Sequence, residues 1–149
     1  MSLMKIRYEG KGDIAYQTLS SSGFDVYVQE ETLAPSNTTV KLSTGVYIAE
    51  ALEDLEFGDG RFKVRPEIQV RPRSSAFVHD WLLPLGTVDL DYRGQIMIVV
   101  RNVSSKDRVL QQGERLAQLV GALTFKVDGV EVRSVKRGDG GFGSTGGTK

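Results

Sequence analysis

Apolar positions along this chain come in short, strand-like runs. Val26-Tyr27-Val28, Val46-Tyr47-Ile48-Ala49, Ile68-Gln69-Val70 and Ile96–Val100 are rich in β-branched and aromatic residues, which suit the pleated, half-buried surface of a sheet. Glycines and polar clusters separate the runs. Asp59-Gly60 and Asp128-Gly129 are hairpin signals, because a type I′ turn needs positive φ at both central residues. The second is the stronger of the two, since Phe125, Val127, Val130, Val132 and Val135 flank it in near alternation. Helical candidates are limited to two brief stretches, Ala49–Leu55 and Ser74–Trp81. Many short strands with turn residues between them, and no internal repeat, predict an all-β sandwich, jelly roll or barrel with at most short helices.

Composition narrows the picture. A chain of 149 residues that is 40% hydrophobic is sized for one domain with a real core. Lys plus Arg and Asp plus Glu both number 19, so no overall basic field recommends nucleic acid as a partner, and an acidic ligand would need a local cluster of arginines. The absence of Cys excludes disulfides, zinc–thiolate sites and a Cys nucleophile. No apolar run approaches the roughly 20 residues needed to span a bilayer, and Met1-Ser2-Leu3-Met4-Lys5 does not open a signal peptide. A soluble, cytoplasmic protein without a membrane partner is expected.

Candidate chemistry concentrates in five stretches. The richest is Gly86-Thr87-Val88-Asp89-Leu90-Asp91-Tyr92-Arg93-Gly94, followed at once by Ile96–Val100. It predicts a tightly turned hairpin that presents carboxylates at the edge of a small-ligand pocket. Upstream, Gly23-Phe24-Asp25 stands at a strand entry, where Gly and Asp ordinarily serve a turn. In Arg71-Pro72-Arg73-Ser74-Ser75, Ser74 is a candidate cap for a short helix facing an anion, and Arg73 offers a fork of donors to phosphate oxygens. In Gly113-Glu114-Arg115-Leu116-Ala117-Gln118-Leu119-Val120, Gln118 is the polar exception among core positions. Residues 137–147 carry Gly at six of eleven positions, with one Phe and one Arg, as expected of a mobile lid that orders over a ligand. That stretch lacks the Gly-Lys-Ser/Thr order of a phosphate-binding Walker loop. The lone His79, next to Asp80 and Trp81, reads as structural. The segment 50–67 is acidic first and basic after Asp59-Gly60, as a solvated hairpin would be.

Taken in order, these five stretches resemble the five signature motifs of the trimeric dUTP pyrophosphatases (dUTPases). The resemblance runs from Ser21 to Gly147 and is most specific in the third and fifth stretches. It departs from the usual pattern in Ala76–Leu85 and in the extra length near 50–67, which would be a lid, a subunit contact or a surface for a protein partner. It implies a distorted jelly roll or β-barrel over 1–136 and a Gly-rich lid over 137–149. It also implies hydrolysis of dUTP to dUMP and pyrophosphate by a homotrimer with shared sites. Asp89 would match the catalytic carboxylate. Tyr92 would pack under the deoxyribose and reject ribonucleotides, while main-chain groups of Gly86 and Met97 would read uracil. Arg73, Ser74, Ser75 and Gln118 would hold the phosphates, and Asp25 would face the water shell of Mg²⁺. Phe142 would stack on the base, with Arg137, Ser144 and Thr145 on the terminal phosphate. Two other readings share the fold. A dCTP deaminase would need a glutamate on the strand after the hairpin, and Gln95–Val100 has none. A regulatory protein would bind its partner through 50–67.

Overall fold

In the computed structural model, which describes residues 2–133, the chain is a set of short strands wrapped into a jelly-roll-like, all-β body. The strands are β1 (Met4–Tyr8), β2 (Gly23–Val26), β3 (Thr32–Ala34), β4 (Thr39–Ser43), β5 (Val46–Ala51), β6 (Leu55–Phe57), β7 (Phe62–Pro72), β8 (Trp81–Leu82), β9 (Gly86–Val88), β10 (Met97–Asn102), β11 (Arg108–Leu110) and β12 (Ala117–Thr124). The largest sheet runs β2-β12-β7-β6, with β9 also paired to β7. A second sheet runs β4-β10-β8, and two-stranded pairs β1-β5 and β3-β11 complete the wrap. All of these pairings are antiparallel. Period-two alternation then sends every second side chain inward. In β7 the inward set includes Pro66, Ile68 and Val70; in β10 it is Ile98, Val100 and Asn102. With Val26, Val46, Ile48, Ile96, Leu110 and Leu119 they form one continuous core, each large aliphatic contributing about 1.5–3 kcal/mol on burial.

Asn102, like Thr44, is a fully buried polar residue, and its side chain is fully used. Its amide nitrogen donates to the carbonyls of Ala34 and Lys106, both at 2.8 Å, while its Oδ1 accepts from Ser104 N–H at 3.0 Å and Ser104 Oγ at 2.7 Å. It ties β10 to the β3 edge and to the turn that leads into β11.

Several sequence expectations are corrected. Ala49–Leu55 is not helical: its first part completes β5, and its last residue opens β6. Pairing with β1, in which Ala51 lies opposite Met4, overrides the weak local preference. Only Phe77–His79 of the Ser74–Trp81 candidate is helical, as a single 3₁₀ turn. Of the two hairpin signals the weaker one is used. Asp59-Gly60 closes β6 onto β7, with Phe57 opposite Phe62, and both turn residues take positive φ, 57° and 82°. Asp128-Gly129 turns, with Gly129 at φ 85°, but residues 125–127 and 130–133 on either side of it form no strand, and Phe125, Val127, Val130 and Val132 are all exposed. The segment 50–67 is therefore no detached insertion. It is the end of β5, the whole of β6 and the outer half of β7. Among the described residues no helix is long and apolar enough to cross a membrane.

Candidate active site

The stretch that opened the functional argument is built differently from a two-stranded hairpin. β9 pairs with β7, Gly86 lying opposite Val70, whereas β10 pairs with β4 and β8. The strands on either side of the loop thus belong to different sheets and splay apart. Between them lies a cavity of about 260 Å³, lined by Val70, Leu85, Gly86, Tyr92, Met97 and Val99 among others. Met97 and Val99 are the outward half of β10's alternation. The unbroken apolar run at 96–100 therefore serves two surfaces, the core through Ile98 and Val100 and the cavity through Met97 and Val99. Gly86 lets β9 lie close on β7, because a Cβ there would stand 3.3 Å from Val70 Cβ.

The loop itself is ordered. Tyr92 N–H donates to the Asp89 carbonyl at 3.0 Å, which places the two residues in one turn at the mouth of the cavity. The Tyr92 hydroxyl donates to the Gln95 carbonyl at 2.8 Å. Asp89 is exposed and Tyr92 half-buried, so a carboxylate-bearing residue stands in the turn beside a largely apolar cavity.

A second cluster forms at the far end of β7. Asp25 on β2, Gln118 on β12 and Arg71 on β7 stand abreast in the sheet. Just beyond β7, Arg73 Nε lies 3.2 Å from Asp25 Oδ2, and Arg115 Nη1 reaches the same oxygen at 3.3 Å. Arg73 is held further by its own N–H to the Leu116 carbonyl at 2.8 Å and by Nη1 to the Arg115 carbonyl at 3.2 Å. The Gln118 amide donates to the Pro72 carbonyl at 3.4 Å. Two guanidinium groups on one carboxylate, with the Arg71 guanidinium held nearby on Gln69 Oε1, leave a positive surplus, the arrangement that oxyanions favour. Ser74 and Ser75 fall in the turn that follows Arg73. Ser74 caps no helix, since the 3₁₀ turn starts after Ala76 and has no side-chain cap. Arg115 and Arg71 were not singled out from the sequence. Register with Asp25 and Gln118 marks them, and register is not visible in a single chain's composition.

The two clusters are separate within one chain. Val88 lies opposite Ile68, so Asp89 stands level with Glu67, six residues before Arg73. At about 3.3 Å per residue this is roughly 20 Å. They also use opposite faces, because the cavity opens on the side of Val70 while Arg71, Gln118 and Asp25 project from the other. Among the described residues no group of three or more His, Cys, Asp or Glu could hold a metal ion, and Asp25 is committed to two guanidinium groups. That donor set suits an ion carried by a phosphate ligand and met through water rather than a protein-built cage. His79 contributes through its main chain, its carbonyl accepting from Arg108, whose guanidinium stacks over Trp81 at 4.1 Å. Arg137, Phe142, Ser144 and Thr145 lie outside the described residues.

Comparison with known proteins follows the same lines. The sequence profile of the dUTPase family matches residues 64–146. A deoxyuridine 5′-triphosphate nucleotidohydrolase of Helicobacter pylori is 38% identical over 140 residues, covering 90% of this chain and 88% of its own. One from Hydrogenobaculum is 36% identical over 138 residues, with 88% of each chain covered. Among solved structures, the dUTPase of Staphylococcus bacteriophage 80alpha superposes with a TM-score of 0.68 at 14% identity, over 90% of this chain and 98% of that one. A dUTPase from Streptococcus mutans gives 0.65 at 22% identity, over 85% and 98%.

Proposed function

The chain belongs to the dUTPase family, and on that premise we propose that it hydrolyses dUTP to dUMP and pyrophosphate through the Asp89–Tyr92 turn. The observation that carries the reading is an apolar cavity of about 260 Å³ with Tyr92 in its lining and Asp89 in the same turn as Tyr92. The cavity takes uracil and deoxyribose, with the main chain at Gly86 and Met97 reading the base edge. The Tyr92 ring leaves no room for a 2′-hydroxyl. Asp89 orients a water molecule and accepts its proton as the water oxygen attacks the α-phosphorus. The bond from that phosphorus to the oxygen bridging to the β-phosphate breaks, and the pyrophosphate departs with the electron pair. Arg73, helped by Ser74, Ser75 and Gln118, stabilises the charge that builds on the phosphates. Asp25, which holds Arg73 in place, would face the hydration water of a phosphate-bound Mg²⁺, and that ion would supply positive charge against the leaving pyrophosphate. By the family resemblance, and outside the described residues, Phe142 is assigned to the base and Arg137, Ser144 and Thr145 to the terminal phosphate.

The wide separation of Asp89 from Arg73 within the chain supports a homotrimer whose sites each draw on more than one copy. A cavity of about 610 Å³ lined by Ile6, Phe24, Ile68 and Leu123 among others, and the exposed apolar run from Phe125 to Val132, are surfaces available for that contact. Pyrophosphate release from dUTP, with dCTP as the control, tests the activity. Release from dUTP alone is the expected result. Deamination of dCTP, or inertness toward both nucleotides, would overturn the proposal.

A further inference from the structure

The loop that carries Tyr92 is fastened to the rest of the molecule at a point no motif marks. The anchor is the turn Thr44-Gly45-Val46 between β4 and β5. It has no slack: Thr44 and Val46 have no exposure, Gly45 sits at φ 75°, and a Cβ on Gly45 would stand 2.6 Å from the main chain of Gly10. Glu9 N–H also donates to the Gly45 carbonyl at 2.8 Å.

Two consecutive residues of the loop are tied to this anchor. Ile96 is pinned through its main chain, its N–H donating to the Val46 carbonyl at 2.9 Å and its carbonyl accepting from Thr44 Oγ1 at 2.6 Å. Gln95 is pinned through its side chain, Oε1 accepting from Gly45 N–H at 2.7 Å. The Gln95 carbonyl in turn accepts the Tyr92 hydroxyl at 2.8 Å. The Tyr92 ring thus rests on a relay that runs from a rigid buried turn, through the Gln95 amide and the Gln95 main chain, to the phenol oxygen. Ile96 would stay in place without Gln95, since its two bonds do not involve that side chain. The stretch from Tyr92 to Gln95 would not, because the Gly45 N–H would lose its acceptor and the loop its outer fastening.

The geometry points to Gln95 as a positioning residue that fixes how closely Tyr92 approaches the sugar, and so sets the preference for deoxyribonucleotides over ribonucleotides. The inference rests on the dUTPase reading of the Tyr92 cavity. Any acceptor of the same reach would keep the relay; an apolar side chain of similar volume would break it.

The test compares wild type, Gln95→Leu and Gln95→Glu in steady-state hydrolysis of dUTP and UTP. Gln95→Leu is expected to raise kcat/KM for UTP about tenfold relative to dUTP, through KM, since displacements of an ångström or less change fit by such factors. Gln95→Glu keeps the acceptor and is expected to keep the wild-type ratio. Tyr92→Phe removes the other end of the relay and is expected to reproduce the shift, with the Tyr92→Phe, Gln95→Leu double variant no worse than either single one. An unchanged ratio in Gln95→Leu, an equal fall in kcat for both substrates, or no rescue by glutamate would overturn the assignment. Amide hydrogen exchange at Gly45 separates this failure from failure of the dUTPase reading. Exchange should quicken in Gln95→Leu and not in Gln95→Glu, whatever the substrate. An unchanged rate there would remove the tether itself, whereas a wild type inert toward dUTP would remove only the reaction it serves.

Discussion

Replacing Asp89 by asparagine removes a proton acceptor and keeps the shape of the side chain. Because Asp89 is exposed at the cavity mouth, the change costs the fold little. Turnover of dUTP is expected to drop about 100-fold or more, the usual share of a general base, while calorimetry still detects dUTP binding. Near-normal kcat would remove Asp89 from the mechanism. Asn102 is the opposite kind of residue, fully buried and bonded to Ala34, Lys106 and Ser104. Asn102→Ala removes one buried bond, to the Ala34 carbonyl, and part-buried ones to the Lys106 carbonyl and the Ser104 N–H, a loss of about 3 kcal/mol. The melting temperature is expected to fall by about 6–12 °C, and a change of under about 2 °C would contradict the account.

At the scale of elements, β6 is the most dispensable piece. It pairs only with the first three residues of β7, Phe62 to Val64, and Phe57 and Phe62 stay exposed. The rest of β7 is secured by β12 from Arg65 onward. Joining Asp54 to Arg65 through a short Gly-rich turn is therefore expected to leave a folded protein, with circular dichroism showing its strands intact and dUTP hydrolysis within about twofold of wild type. Loss of all activity in a folded variant would place the hairpin in the site or in a subunit contact. The elements also show where sequence legibility stops. The strands at 46–49, 68–70 and 97–100 could be read because β-branched and aromatic residues mark buried pleats whatever their partners, whereas the run at 26–28 misplaces its strand, which is Gly23–Val26 and is set by pairing with β12. Asp59-Gly60 and Asp128-Gly129 are ranked the wrong way round by their flanking pattern, because a turn becomes a hairpin only if its flanks find a ladder. Residues 62–64 have one in β6, while 125–133 have none within the described chain. Ala49–Leu55 failed for the same reason: pairing with β1 decides it, and β1 lies more than forty residues upstream. The motifs single out Asp89, Tyr92, Gly86, Met97, Arg73 and Gln118 as candidates, yet the division of those candidates between two clusters is a matter of strand pairing that the motifs do not carry.

At the scale of the whole molecule, that division makes a direct prediction. Asp89→Asn chains and Arg73→Ala chains should each be inactive alone. Co-refolded, they should regain part of the dUTP hydrolysis, because some sites would join an intact Asp89 from one chain to an intact Arg73 from another. No recovery, with mixed assemblies confirmed by mass, would mean that both residues serve a site within their own chain. The distance of roughly 20 Å along β7 has a consequence beyond mutants. Catalysis shared between copies is governed by mass action. Specific activity should hold level at high chain concentration and fall steeply on dilution through the dissociation constant of the assembly, then return when dUTP or added protein drives the copies together again. A freshly made chain would be a well-formed scaffold with no turnover of its own, and the onset of activity would record not when it folds but when it meets its neighbours.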